Sequence, residues 1–252
     1  MTHAPPQVTI LGVRIDDVSM DETVARIRRM LADGRPHHIV TVNPEFVMTA
    51  QRNALFRTTL RRADLAVPDG VGLKLAARWT GQRLANRVPG VELCERLAQL
   101  SAETGARIFL LGAAPGVAEA AAAALRRRYP GVVIAGCYAG SPHPRDEADV
   151  RQRIMAARTE ILLVAYGSPA QDLWIARNQP RLAIPVAIGV GGSFDYLSGA
   201  VPRAPRLMRQ LGLEWLYRLV RQPWRWRRIW TAVVRFPVAV LLHRQRRTTS
   251  NE

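Results

Sequence analysis

The chain has 252 residues, 48% of them hydrophobic, a formal net charge of +16 and two cysteines. That length suits one α/β domain with a substantial core plus an appended segment, and the even spread of Gly and Pro excludes a fibrous or disordered class. Cys94 and Cys137 stand alone, without CxxC or Cys/His spacing, which argues for a reduced compartment and against a structural zinc site.

The opening MTHAPPQVTILGVRIDD has neither the basic start nor the continuous apolar stretch of a signal peptide, so a cytoplasmic protein is expected. Short β-rich runs then recur at Val8–Ile15, His38–Val42, Leu65–Val67, Arg107–Leu111, Val132–Ala135, Ile161–Ala165 and Val186–Val190. Helix-like segments separate them at Asp21–Ala32, Pro44–Arg62, Val91–Glu103, Gly116–Arg128, Asp146–Arg158 and Ala170–Asn178. Several of the strands are apolar throughout (IFLL, ILLVA, VAIGV), as strands covered on both faces are. The alternation predicts an α/β fold: a Rossmann-like, mostly parallel sheet with helices on both faces. Ligands of such sheets sit at the carboxyl ends of the strands, so the loops there are the places to search.

The first of these loops, in TVNPEFV, carries Thr41 and Asn43 just before Pro44 opens a helix. Asn43 can cap that helix or hold a sugar hydroxyl or phosphate, and both readings stand. In ADLAVPDGVGL a short strand delivers Asp69 into a Gly-rich turn; a carboxylate there can take a proton from an attacking hydroxyl, although an Asp-Gly pair is often only a turn. Arg87, ahead of a Pro-Gly corner and a helix start, is placed to neutralise a diphosphate, with a plain surface arginine as the alternative. Gly112 ends the IFLLG strand in a small-residue loop that is neither GxGxxG nor a Walker loop. Gly167 and Gln171 lie at the mouth of the LLVAYGSPAQDLW strand, and Asp195 follows the Gly pair in IGVGGSFDYLSG. With no DxD motif or metal-spaced cluster in the chain, no metal and no cofactor are expected, and leaving-group charge falls to arginines and helix ends.

A change of pattern near residue 200 divides the chain into a catalytic domain (1–200) and a basic amphipathic appendage (201–252). The sequence from Pro202 to Arg247 holds twelve arginines against one acid, Glu214, and so carries +11 of the charge. Over residues 206–222, Leu207, Met208, Leu211, Trp215, Leu216, Leu219 and Val220 fall on one helical stripe, with Arg209, Arg218 and Arg221 mainly opposite. The most apolar stretch, Ile229–Leu242, is broken by Arg235 and Pro237 and is too short to span a bilayer. Packing on the main domain is one reading of this segment. Arginine interleaved with Trp215, Trp224, Trp226 and Trp230 favours the other, a helix lying on an anionic membrane surface. Nucleic acid would also attract the charge, but no nucleic-acid-binding signature is present, so no such partner is expected. An oxidoreductase would use the same sheet, yet the dinucleotide fingerprint is missing.

Read in order, TVNPEFV, ADLAVPDGVGL, RVPGVEL, LLGAAPG, YGSPAQDLWI, GVGGSFDYLSG, RAPRLMRQLGLEWLYRL and QPWRWRR resemble the WecG/TagA/CpsF glycosyltransferase family, over residues 8 to 230. The resemblance implies inverting transfer of N-acetylmannosamine, or its uronic acid, from a UDP-sugar donor. The implied acceptor is an undecaprenyl-diphosphate-linked N-acetylglucosamine, and the setting is cell-surface polysaccharide or teichoic-acid-type polymer synthesis at the inner face of the membrane. By position, Asp69 is similar to the family's general base, Thr41, Asn43, Arg87 and Gln171 to its pocket residues, and Asp195 to the acid near the uracil. Arg218, Arg225 and Arg228 match arginines of an appendage that meets the lipid diphosphate. Ala170 and Asp172 stand where the family often has Lys and Glu, a departure that bears on which donor is used. The sequence is compatible with a homo-oligomer.

Overall fold

The computed structural model describes residues 4–205, 207–208 and 212–249. The chain opens with a hairpin, β1 (Gln7–Ile10) and β2 (Val13–Asp16), followed by α1 (Met20–Ala32), β3 (His37–Val42), α2 (Pro44–Ala50), α3 (Ala54–Arg62), β4 (Leu65–Pro68) and α4 (Val71–Trp79). It continues through α5 (Gly90–Thr104), β5 (Ile108–Gly112), α6 (Val117–Arg128), β6 (Ile134–Tyr138), α7 (Glu147–Ala156), β7 (Ile161–Ala165), α8 (Ala170–Leu182), β8 (Val186–Gly189) and α9 (Ser193–Leu197). The C-terminal part adds α10 (Glu214–Arg221), α11 (Trp226–Trp230), a π-helical turn over Thr231–Arg235 and α12 (Phe236–Thr249).

β3 to β8 form one six-stranded, wholly parallel sheet in the order β4-β3-β8-β7-β5-β6. Its strands are apolar on both faces because both are covered, and alternate residues part cleanly. Ile39, Val67, Leu110, Leu163 and Ile188 face α1, α5, α6 and α9. Val40, Val42 and Ala66 face α2, α3 and α4, whereas Leu111, Leu162 and Val164 face α7 and α8. The Rossmann-like expectation is met.

Two predicted elements split. Val8–Ile15 is not one strand but two antiparallel ones, because Leu11 and Gly12 turn the chain at φ +48° and +77°, the paired positive values of a tight hairpin turn. This hairpin stands outside the main sheet and buries Val8, Ile10, Val13 and Ile15 against α3 and α4. Its Asp16 carboxylate accepts the Ala66 amide at 2.8 Å and is held above the usual carboxylate range, chiefly by burial. The single helix predicted over Pro44–Arg62 breaks at Asn53, whose side chain caps α3 by accepting the Phe56 amide at 2.9 Å.

The C-terminal segment returns to the body of the protein. Phe236 and Val240 of α12 are fully buried among Val42, Phe46, Val47 and Leu73, and α12 packs on α2 and α4. Within the amphipathic stretch predicted over 206–222, residues 206 and 209–211 lie outside the described residues, Leu211 and Arg209 among them. The described helix is shorter, Glu214–Arg221, and Leu207, Leu216 and Val220 of the apolar stripe are exposed rather than packed. No helix among the described residues is long and apolar enough to cross a membrane.

Candidate active site

β3 and β4 lie to one side of β8, and β7, β5 and β6 to the other, so the chain reverses direction across the sheet where a crevice opens at the strand ends. A cavity of about 320 Å³ fills that crevice. It is lined from five strand ends, by Thr41 in β3 and Asn43 just after it, Asp69 after β4, Ala113 and Ala114 after β5, Tyr166 to Ser168 after β7, and Val190 to Ser193 after β8. Glu45, Gln171, Asp195, Tyr196, Glu214, Arg218, Arg225 and Arg228 also line it.

Of the two readings of Asn43, the structure shows the cap. Its side chain accepts the Phe46 amide at 3.0 Å and caps α2, while its residue also borders the cavity. Thr41, buried, donates its hydroxyl to the Gly189 carbonyl at 2.9 Å, tying β3 to β8 at the cavity wall. The Gln171 side-chain Oε1 accepts the Gly191 amide at 2.9 Å and so fixes the loop after β8. A Cβ at position 189 would collide with the Gln171 amide and the Asp172 carboxylate, so this strand end requires glycine.

Asp69 is partly buried at the turn into α4, and the loss of water raises its carboxyl to about 6. Arg218, the larger influence, and Arg87 oppose that rise, while Glu214 adds to it. The loop carrying Arg87 is anchored by Asp17, whose carboxylate accepts the backbone amides of Ala85 and Asn86 at 3.0–3.1 Å.

Not every expected residue meets the cavity. Arg87 lies beside it, 3.8 Å from Glu214, and lines a second cavity on α4. Gly112 does not line it either. With φ at +100°, it allows the ends of β5 and β7 to approach, since a Cβ there would come within 2.8 Å of the Ala165 carbonyl carbon. Ala170 and Asp172 also stand outside the lining; Asp172 is buried under β8, 3.5 Å from His38 Nε2.

The three appendage arginines converge on the cavity mouth in different ways. Arg228 makes a two-pronged contact with Glu45, at 2.8 and 3.0 Å. Arg218 lies over the Tyr196 ring, 5.1 Å from its centre. Arg225 is half-buried, and burial first, then Arg228 and Arg218, lowers its basicity. Arg228 is matched by Glu45, whereas Arg218 and Arg225 form no salt bridge among the described residues and leave positive charge at the mouth for an anionic ligand.

Sequence reasoning missed Glu45, Tyr166, Tyr196 and Glu214. Among the described residues, the Tyr166 hydroxyl and the Ser168 Oγ are shielded from solvent and have no hydrogen-bond partner. Only the nearness of Glu45 to Asn43 in TVNPEFV could have drawn attention to it.

The chain is 36% identical over 205 residues to the N-acetylglucosaminyldiphosphoundecaprenol N-acetyl-beta-D-mannosaminyltransferase of Bacillus spizizenii strain W23, covering 81% of this chain and 79% of that one. It is 35% identical over 225 residues to the protein of the same name from Staphylococcus aureus strain MW2, covering 88% and 87%. The family model for glycosyl transferases of the WecG/TagA/CpsF type matches residues 8–250. The strand-end cavity thus sits in an enzyme, and the chain belongs to the WecG/TagA/CpsF glycosyltransferase family.

Proposed function

We propose that this enzyme transfers an N-acetylmannosamine-type sugar from UDP to undecaprenyl-diphosphate-linked N-acetylglucosamine, by inversion and without a metal ion, at the inner face of the cell membrane. The observation that carries the reading is Asp69, a carboxylate on the cavity wall that burial raises to about 6 and that Arg218 and Arg87 influence. The names of the relatives supply the acceptor and the sugar.

In one displacement, Asp69 takes the proton of the acceptor hydroxyl as that oxygen bonds to the anomeric carbon. The bond from this carbon to UDP breaks on the opposite face, and the configuration inverts. Arg218 and Arg225, with Arg87 nearby, offset the charge developing on the departing diphosphate. Gly167, Gln171 and Asp195 border the space for the donor, and Arg228, held by Glu45, stands at the mouth where the acceptor's diphosphate enters. On this reading residues 1–200 hold the donor, and residues 201–252 bring the arginines and the membrane-facing surface.

The pH profile tests the assignment. A base must be ionised, so kcat/KM should fall as pH drops through about 6, the value for free Asp69. Bound diphosphates would neutralise Arg218 and Arg87, which hold that value down, so the limb of kcat should lie higher than that of kcat/KM. A kcat/KM that stays flat from pH 5 to pH 8 would remove Asp69 from the base role.

A further inference from the structure

A second cavity, of about 680 Å³, opens beside the first, between α4 and the loop that follows it. Among the described residues its wall carries four cations, Lys74, Arg78, Arg83 and Arg87, three apolar side chains, Val71, Leu75 and Leu84, with Gln82, and no acid. Lys74 is the only lysine of the chain, and its ammonium donates to the Ala85 carbonyl at 2.7 Å, joining the two walls. Nearly half of Leu75 is exposed.

The groove starts where the reaction happens. Asp69 is two residues before Val71, at the head of α4, and Arg87 links the cavities by facing Glu214 of the first while lining the second. At about 1.5 Å of rise per residue, Lys74 and Arg78 stand roughly one and two helical turns further from Asp69. On its far side α4 packs against α12, whose Leu241 and Leu242 are exposed. Such a wall suits a ligand with negative charge at one end and hydrocarbon at the other.

Resting on the transferase reading, we propose that this groove holds the acceptor where its diphosphate joins the prenyl chain. Arg228 at the mouth meets the phosphate nearer the sugar, Lys74, Arg78 and Arg83 the lipid-side charge, and the exposed Leu75 the first prenyl units. The sugar then lies over Asp69, and the chain leaves along α4 toward the exposed face of α12.

Farnesyl diphosphate is a soluble probe of this junction, and its binding needs neither donor sugar nor turnover. It should bind the full-length protein together with UDP. Arg78→Glu with Arg83→Glu should weaken it by about tenfold or more, while UDP binding stays within about twofold. Leu75→Ser should weaken farnesyl diphosphate but not inorganic pyrophosphate. Unchanged farnesyl diphosphate binding in both variants, or its displacement by UDP from a single shared site, would overturn the proposal. So would a charge-reversed variant that loses only its hold on phosphatidylglycerol vesicles, since the groove would then serve membrane headgroups. If the wild type binds the probe but moves no sugar from any UDP donor, the transferase reading fails and the groove stands.

Discussion

Replacing Asp69 with Asn should lower turnover by about 10²- to 10⁴-fold, the usual contribution of a positioned general base, and leave UDP binding within about twofold. The amide keeps the shape of the side chain but cannot accept the hydroxyl proton. Folding should not suffer. Burial raises this carboxyl from 3.8 to about 6, so the ionised form weakens the fold at pH above 6, and that cost vanishes below about pH 4, where the group is protonated in both folded and unfolded chains. The substituted amide carries no charge at any pH, and the variant should be at least as stable as the parent at pH 7.5. Turnover within threefold of the parent would show that another group takes the proton.

Substituting Trp224, Trp226 and Trp230 together with Ser should release the protein from anionic vesicles without lowering its melting temperature. The three rings are more than half exposed, so they contribute little to the core. They stand among Arg225, Arg227 and Arg228, where a membrane interface takes aromatic rings and each basic residue adds about 1 kcal/mol of attraction to an anionic leaflet. Deleting the chain after Val201 is a poorer test. It would strip Phe236 and Val240 from a core shared with Phe46 and Leu73, and loss of a buried phenylalanine alone costs about 3–5 kcal/mol. Retained vesicle binding in the three-tryptophan variant would mean that these side chains do not form the membrane contact.

The sheet was legible because its strands are continuous apolar runs, and a run such as ILLVA has few other homes than a covered parallel sheet. Asp69, Asn43 and Gln171 could be expected at the cavity because the ligands of a parallel sheet sit at its strand ends, and all three line it. The hairpin turn was not, because Leu11 adopts a positive φ that its residue type rarely takes. Nor was the return of α12, where Arg235 and Pro237 flank the buried Phe236 and hide the helical period. Arg87, ahead of a helix start, and Gly112, at a strand end, were both expected at one site. Arg87 faces a neighbouring groove and Gly112 serves strand packing, distinctions that depend on how loops from distant parts of the chain meet.

The central claim is best tested by following UDP release from the purified protein in EDTA, with a panel of UDP-sugars and a short-chain lipid-diphosphate N-acetylglucosamine. Release that requires both the acceptor and an N-acetylmannosamine-type donor is the result expected. A folded protein that binds UDP yet releases none with any donor, or releases it only when a divalent metal is restored, would contradict the account.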